Sequence, residues 1–464
     1  MSPASIAAPA LVRARPTPPV RIVHLGIGAF HRAHQAWYTA HAADAADWGI
    51  AAFTGRSSVV ADELRAQDCL YTLIERSSEG DRSETIESIV DAHPGDDVTM
   101  LLELLRRAEV AIVTLTVTEA GYRLDDDGRL RLDDPVVAGD VDAVRATRGT
   151  DAVPAVRSVV GRLATALRAR HDAGLSAVAV VPCDNIPDNG RALADACRAF
   201  VEAVDPGDSG WLDQTASFVS TSVDRITPRT TIEDVATVRV LTGRSDSIPV
   251  VTEPFTDWVL HGRFPSGRPA WEDAGARFVT DIRPWELRKL RILNGAHTLL
   301  ASFGALRGHA TVDAAIRDPE CRNVVERWWD EVENGLPDGL DLENYRASLV
   351  QRFANSRIAH HLDQISQDAP AKMRIRIIPT VLHELDNGRH PLAGLTAIAA
   401  VLVREGIRPD VTSITTELRR LSPALAARSD VPRSVADIAR ELERQSEALP
   451  LGPMTMPEHR RQHP

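Results

Sequence analysis

The sequence predicts an α/β protein, with a doubly wound sheet in its N-terminal part and a mostly helical C-terminal part. Short, continuous, β-branched runs alternate with helical stretches up to about residue 280. A turn with two glycines, Gly26-Ile27-Gly28, opens that series between a strand and a helix. Beyond Trp285 strand-like runs cease and apolar residues recur at helical spacing.

Taken in order, residues 1–20 are rich in Ala and Pro and carry Arg13 and Arg15, with no compact apolar stretch. They read as a disordered leader, not as a signal peptide. Strands are expected over 21–26, 50–53, 111–117, 177–181 and 216–220; 111–117 is the strongest, β-branched and continuous as buried parallel strands tend to be. Helices are expected over 29–43, 100–107, 156–173 and 191–203 between them. The later helices fall at 285–301, 323–334, 342–353, 392–404 and 434–447, with a boundary near 275–284. Two domains result: 21–280, of the Rossmann-like dinucleotide-binding type, and 281–464, helical, carrying substrate and catalysis.

Composition removes several function classes. With 53 Lys and Arg against 65 Asp and Glu the net charge is −12, where a nucleic-acid binder would be basic. No apolar run approaches the ~18 residues that span a bilayer. Cys69, Cys183, Cys197 and Cys321 form no CxxC pair, so neither a disulfide scaffold nor a zinc site is expected, and a reducing, cytoplasmic compartment is. Assembly as a monomer or homodimer is expected, and the sequence does not choose between them, because an interface helix and a core helix look alike in it.

Three groups of residues carry chemistry. The first is Gly26-Ile27-Gly28-Ala29-Phe30-His31. Glycines there let the backbone approach a pyrophosphate resting on a helix N-terminus; alone, the same pattern is also an ordinary turn. His31 and His34 have no third ligand in sequence, so a metal role is not expected. The second group lies at strand ends, where open α/β sheets bind ligands: Thr116-Val-Thr118-Glu119, Asp184-Asn185 and Asp224-Arg225. Each could equally cap the next turn. The third is Glu286, Lys289, Asn294 and His297 in a helix whose remainder is largely Leu, Ile and Ala. On an α-helical wheel with Lys289 at 0° they fall at ~60°, 0°, ~140° and ~80°. A buried lysine with its pKa lowered by desolvation would serve as general base, with Asn294 and His297 holding a substrate oxygen. A structural polar network is the alternative. There is no GxSxG or P-loop, and His383-Glu384 lacks the second histidine of a zincin.

Together RIVHLGIGAFHRAHQA (21–36), LTVTEAGY (115–122), CDNI (183–186), VDRITP (223–228), Glu253-Pro-Phe255 and KLRILNGAH (289–297) resemble the mannitol dehydrogenase family of polyol and uronate oxidoreductases. The resemblance runs over about 20–390. It implies an NAD-dependent secondary-alcohol dehydrogenase without catalytic metal. Lys289 would be the acid/base, Asn185 and Asn294 would bind the reacting oxygen, His297 would orient substrate and Glu286 would gate proton exit. The first-turn residues Gly26, Ile27, Gly28, Ala29 and Phe30, with Thr118, Glu119 and Asp224, would line the cofactor. Substrate is narrowed by Arg291 and Arg376, whose guanidinium groups suit a carboxylate, and by Gln364, where mannitol-specific members tend to carry arginine. The expected substrate is a linear sugar acid, D-mannonate or D-fructuronate; mannitol and fructose are the alternative. Asp368-Ala-Pro departs from the Asp-Gly-Ser common in the family. After the second strand, Phe53-Thr-Gly-Arg56-Ser-Ser58 contains no acid, so Arg56 leaves NADP open beside NAD. A non-catalytic NAD-binding redox sensor is disfavoured, since it needs no proton acceptor.

Overall fold

The computed structural model describes residues 8–55, 57–358 and 360–448. Those up to Arg283 form one compact unit and those from Pro284 onward a second. The first unit holds β1 (Val20–Leu25), β2 (Gly49–Phe53), β3 (Tyr71–Ser77), β4 (Gly80–Ile86), β5 (Ile89–His93), β6 (Ile112–Leu115) and β7 (Val178–Pro182). It continues with β8 (Ala216–Phe218), β9 (Ser220–Asp224), β10 (Val250–Thr252), β11 (Asp257–His261) and β12 (Arg277–Phe278). Six strands make a parallel sheet in the order β5-β2-β1-β6-β7-β8. That is the doubly wound order, reversing between β1 and β6, where ligands bind beyond the carboxyl ends. Val23, Phe53, Val113 and Val180 face one apolar core, and Ile22, Ile50, Ile112 and Ala179 the other. Burial on both faces is why these strands read as unbroken apolar runs.

Four local expectations change. The strand expected over 216–220 divides: Val219 N–H still bonds the Val180 carbonyl at 2.8 Å, and from Ser220 the chain pairs antiparallel with β11 in the sheet β12-β11-β9. The helix expected over 29–43 breaks at His34 (φ −121°, ψ −89°) into Ala29–Ala33 and Gln35–His41. The β3–β4 hairpin, extended by β10, was not expected, because its charged stretch 75–85 hides the strand pattern. Residues 8–19 are not loose: Arg13 donates to the carbonyls of Glu87 (2.7 Å) and Asp68 (2.9 Å), and Leu11 is buried. The rest of the expected leader, 1–7, lies outside the described residues.

The second unit is helical. Leu392–Arg404 is apolar nearly all round and lies buried against Pro319–Glu333 and Val431–Glu447. Its first turn is closed by Glu331, which accepts from Ala393 N (2.7 Å) and Gly394 N (2.9 Å). The segment expected as one α-helix over 285–301 is not uniform. It runs as α (Arg283–Arg288), π (Lys289–Leu293), α (Asn294–Leu299) and π again (Leu300–Gly304). Among the described residues no helix is long and apolar enough to cross a membrane.

Candidate active site

In the first unit the turn after β1 is fixed from below. Gly26 and Ile27 donate to the Phe53 carbonyl at 2.9 and 2.8 Å, and Thr116 Oγ1 donates to the Gly26 carbonyl at 2.8 Å. Gly26 has φ +103°, and a Cβ there would lie 2.2 Å from the Thr116 carbonyl oxygen, so only glycine fits. His24, on β1, bonds Thr114 Oγ1 (2.8 Å) and Thr116 Oγ1 (3.1 Å) and stacks on His31 at 3.3 Å between ring centroids. Burial lowers His24 to a pKa of about 3 and His31 well below its ordinary value. Both are neutral supports of the turn; His34 instead lies against Trp258 and bonds the Asp257 carbonyl at 3.2 Å.

The strand-end residues separate into supports and exposed groups. After β7, Asp184 is buried, accepts from Ile186 N at 3.0 Å and from the Tyr122 hydroxyl, and is pushed up by burial. It shapes the loop on which Asn185 stands exposed. After β6, Thr118 and Glu119 are exposed at the start of a short 3-10 turn. Asp224 ends β9, in the small sheet and not in the parallel one. Arg225 is buried, held by Glu75 (2.7 Å) and the carbonyls of Ala33 (2.6 Å) and Glu253 (3.1 Å); it is a strut. Arg56 lies outside the described residues.

In the second unit the π turn changes the wheel. At about 4.4 residues per turn Asn294 falls ~50° from Lys289, where an α-helix puts it ~140° away. His297 then lies ~10° away, so Lys289, Asn294, His297 and Glu286 share a narrower face than expected. Lys289, Glu286 and Asn294 are half-buried and His297 is buried. His297 packs against Phe353 and edge-on to His360, with centroids 4.7 and 5.0 Å away. Thr298 Oγ1 donates to the Asn294 carbonyl at 3.0 Å and accepts from Arg376 Nη1 at 3.3 Å, tethering Arg376 to this helix. Arg291 and Arg376 are half-buried, and desolvation alone lowers each; neither pairs with an acid among the described residues. Gln364 is exposed on Leu362–Ser366.

Sequence reasoning missed Thr298, Phe353, His360 and the indoles of Trp328 and Trp329, which bond carbonyls of the π turn. A Trp-Trp pair in a buried helix was the available signal, since buried indole N–H groups need acceptors. His309, Asp318 and Cys321 lie close enough to share a metal ion. Asp318, however, is taken by Arg307 (2.7 Å), His309 (2.9 Å) and the Glu320 N–H (2.9 Å), so the cluster is an ion-pair network around a helix start.

The two parts match two known domains. The mannitol dehydrogenase Rossmann domain matches residues 20–273 and the mannitol dehydrogenase C-terminal domain residues 281–407. The chain belongs to the mannitol dehydrogenase family. It is 36% identical to D-mannonate oxidoreductase of Escherichia coli (strain K12), over 81% of this chain and 78% of that one. It is 34% identical to the polyol:NADP oxidoreductase of Gluconobacter oxydans (strain 621H), over 79% and 76%. Mannitol 2-dehydrogenase of Pseudomonas fluorescens, solved in a ternary complex with NAD and D-mannitol, superposes with a TM-score of 0.74. It is 29% identical, over 93% of this chain and 94% of that one. As a mannitol dehydrogenase family member the protein is an oxidoreductase acting on a CH–OH group of polyols or sugar acids. Its β1 turn suits a dinucleotide. Gly28 starts the following helix with no side-chain cap, and a Cβ there would meet only the Gly26 carbonyl, at 3.8 Å. No side chain thus stands at the helix start, where a pyrophosphate could approach the backbone.

Proposed function

We propose that this oxidoreductase is an NAD-dependent, cytoplasmic dehydrogenase of linear sugar acids, interconverting D-mannonate and D-fructuronate. The observation that carries the substrate class is Arg376, tethered to the catalytic helix through Thr298. Its half-buried guanidinium group has no acidic partner among the described residues, whereas Arg291 falls ~160° from Lys289 around the axis and faces away from it. A buried charge left uncompensated is costly, and a substrate carboxylate offers the missing counter-charge with two parallel acceptors. The likeness to a D-mannonate oxidoreductase supports the same choice.

In this reading residues 21–280 hold the dinucleotide through Gly26 to Phe30, Thr118, Glu119 and Asp224, and residues 281–464 supply the acid/base. The nicotinamide, when bound, exchanges the hydride. Lys289 Nζ takes the hydroxyl proton in oxidation and returns it in reduction, which contributes on the order of 10²–10⁴ in rate. Asn294 donates to the alkoxide-like oxygen, and that stabilisation grows as charge develops. His297, wedged between Phe353 and His360, fixes the orientation of the substrate, and Glu286, one turn before Lys289, passes the proton on. The second reading, mannitol and fructose, is favoured by the exposed Gln364, which needs no carboxylate, and by the likeness to mannitol 2-dehydrogenase.

Initial rates with mannonate, fructuronate, mannitol, fructose, arabinitol and sorbitol, each with NAD(H) and NADP(H), decide between the two. The sugar acids should show the highest kcat/KM. Ready turnover of mannitol with none of mannonate would overturn the proposal.

A further inference from the structure

The π turn Lys289–Leu293 closes with the Asn294 N–H on the carbonyls of both Lys289 and Leu290. Such a turn holds one residue more than an α turn and leaves nearby carbonyls short of their usual N–H partner. Side chains from a neighbouring helix donate to two carbonyls of this turn. Trp328 Nε1 donates to the Arg291 carbonyl at 2.9 Å, and Trp329 Nε1 donates to the Ile292 carbonyl at 3.0 Å. Both indoles are buried, at 0% and 1% exposure, so water does not readily replace a lost donor. Trp328 is seated on Gly295, where a Cβ would lie 2.7 Å from Nε1. The second π turn of the same helix is treated alike: Arg404 Nη1 donates to the Ala301 carbonyl at 2.6 Å.

We infer that Trp328 and Trp329 are positioning residues for the acid/base site, acting through the backbone of the π turn. The inference rests on the roles proposed above for Lys289 and Asn294. With the indole donors in place, the carbonyls of Arg291 and Ile292 are satisfied in π geometry, and Asn294 stays ~50° from Lys289 around the axis. Relaxation to an α turn would swing it to ~140°. A displacement of that kind exceeds the ~1 Å misplacement that already costs about a hundredfold in rate.

Trp328→Phe removes the N–H and keeps a buried ring, and Gly295→Ala presses on the same indole from the other side. Each should lower kcat at least about tenfold and move the ascending limb of the kcat–pH profile, while KM for the dinucleotide changes less than about twofold. Trp329→Phe should act in the same direction. Should Trp328→Phe not fold, Gly295→Ala and Trp329→Phe carry the test. Val325→Ala, a buried site on the same helix as the indoles, should lower Tm but leave the pH profile in place. Wild-type kcat and pH profile in the indole and Gly295 variants, beside a Lys289→Ala enzyme that is inactive, would overturn the positioning role alone. A shifted profile in Val325→Ala would also overturn it, by reducing the effect to general loosening. A fully active Lys289→Ala enzyme would instead remove the acid/base reading, and this inference with it.

Discussion

At the scale of single residues, the sharpest expectation is at Lys289. Lys289→Ala should lower kcat by on the order of 10²–10⁴, the size of a general acid–base contribution, and leave the Kd for the dinucleotide nearly unchanged. In the wild type, oxidation should rise with pH as Lys289 gives up its proton, and the variant should lack that limb. Stopped-flow hydride transfer across pH checks both points, and an unchanged profile in the variant would dismiss the lysine. Arg376→Leu should raise KM for mannonate or fructuronate about ten- to a hundredfold, the loss of roughly 1.5–3 kcal/mol from a charged contact. KM for mannitol should barely move. Equal rises for acid and polyol would mean that Arg376 serves the fold and not the carboxylate. That Lys289, Asn294 and His297 gather on one face was legible, because polar groups on a largely apolar helix need a reason to be there. Thr298 was not, since its meaning comes from a bond to Arg376, distant in sequence. Arg225 looked like a site residue and is a strut for the same cause: Ala33, Glu75 and Glu253 meet it only in the folded chain.

At the scale of elements, periodicity located helices and missed their winding. Apolar spacing shows where the 285–301 helix lies, but α and π turns need the same residue types. On the inference above, the difference lies with Trp328 and Trp329, each 37 residues along the chain from the carbonyl it bonds. The parallel strands were readable because they are buried on both faces, whereas β3 and β4 mix charges into a half-exposed hairpin. The element formed by β1, its turn and the next helix carries a pH prediction. His24 titrates near 3 when folded and near 6.5 when unfolded. Below pH 6.5 the unfolded chain therefore binds a proton that the folded chain refuses. Stability is full above that value and declines toward acid, by at most about 1.4 kcal/mol per pH unit for this group. Urea midpoints should fall between about pH 7 and about pH 5 in the wild type and fall less in His24→Gln, which keeps a polar contact to Thr114. Identical losses in both proteins would mean that other groups govern the acid sensitivity.

At the scale of the whole molecule, strand order and cofactor choice meet at the carboxyl end of β2. The sheet order puts the turns after β1 and β6 on either side of the reversal, and on the proposed reading the pyrophosphate end of a dinucleotide rests on Gly26, Gly28 and their supports. The adenosine end depends on the residues just after Phe53. An NAD site usually places an acid about 20 residues beyond the glycines to hold the ribose 2′-hydroxyl. No Asp or Glu occurs between Phe53 and Asp62, and Asp62 is bound to Arg65 one turn into the next helix. Ser57 Oγ accepts the Val59 N–H at 3.3 Å, so one of the two serines is already spent on the helix start. Ser58 stands at the cap position without a side-chain cap bond, and its hydroxyl meets the Asp62 carboxylate. A 2′-phosphate beside Ser58 would face that carboxylate, and like charges repel. On the proposed reading the 2′-hydroxyl of NAD is the better match. NAD should accordingly give the higher kcat/KM, and Arg56→Ala should weaken both cofactors about equally. A preference for NADP of about tenfold or more, worth about 1.4 kcal/mol, would reverse the assignment. Loss of that preference in Arg56→Ala would then place the 2′-phosphate on Arg56.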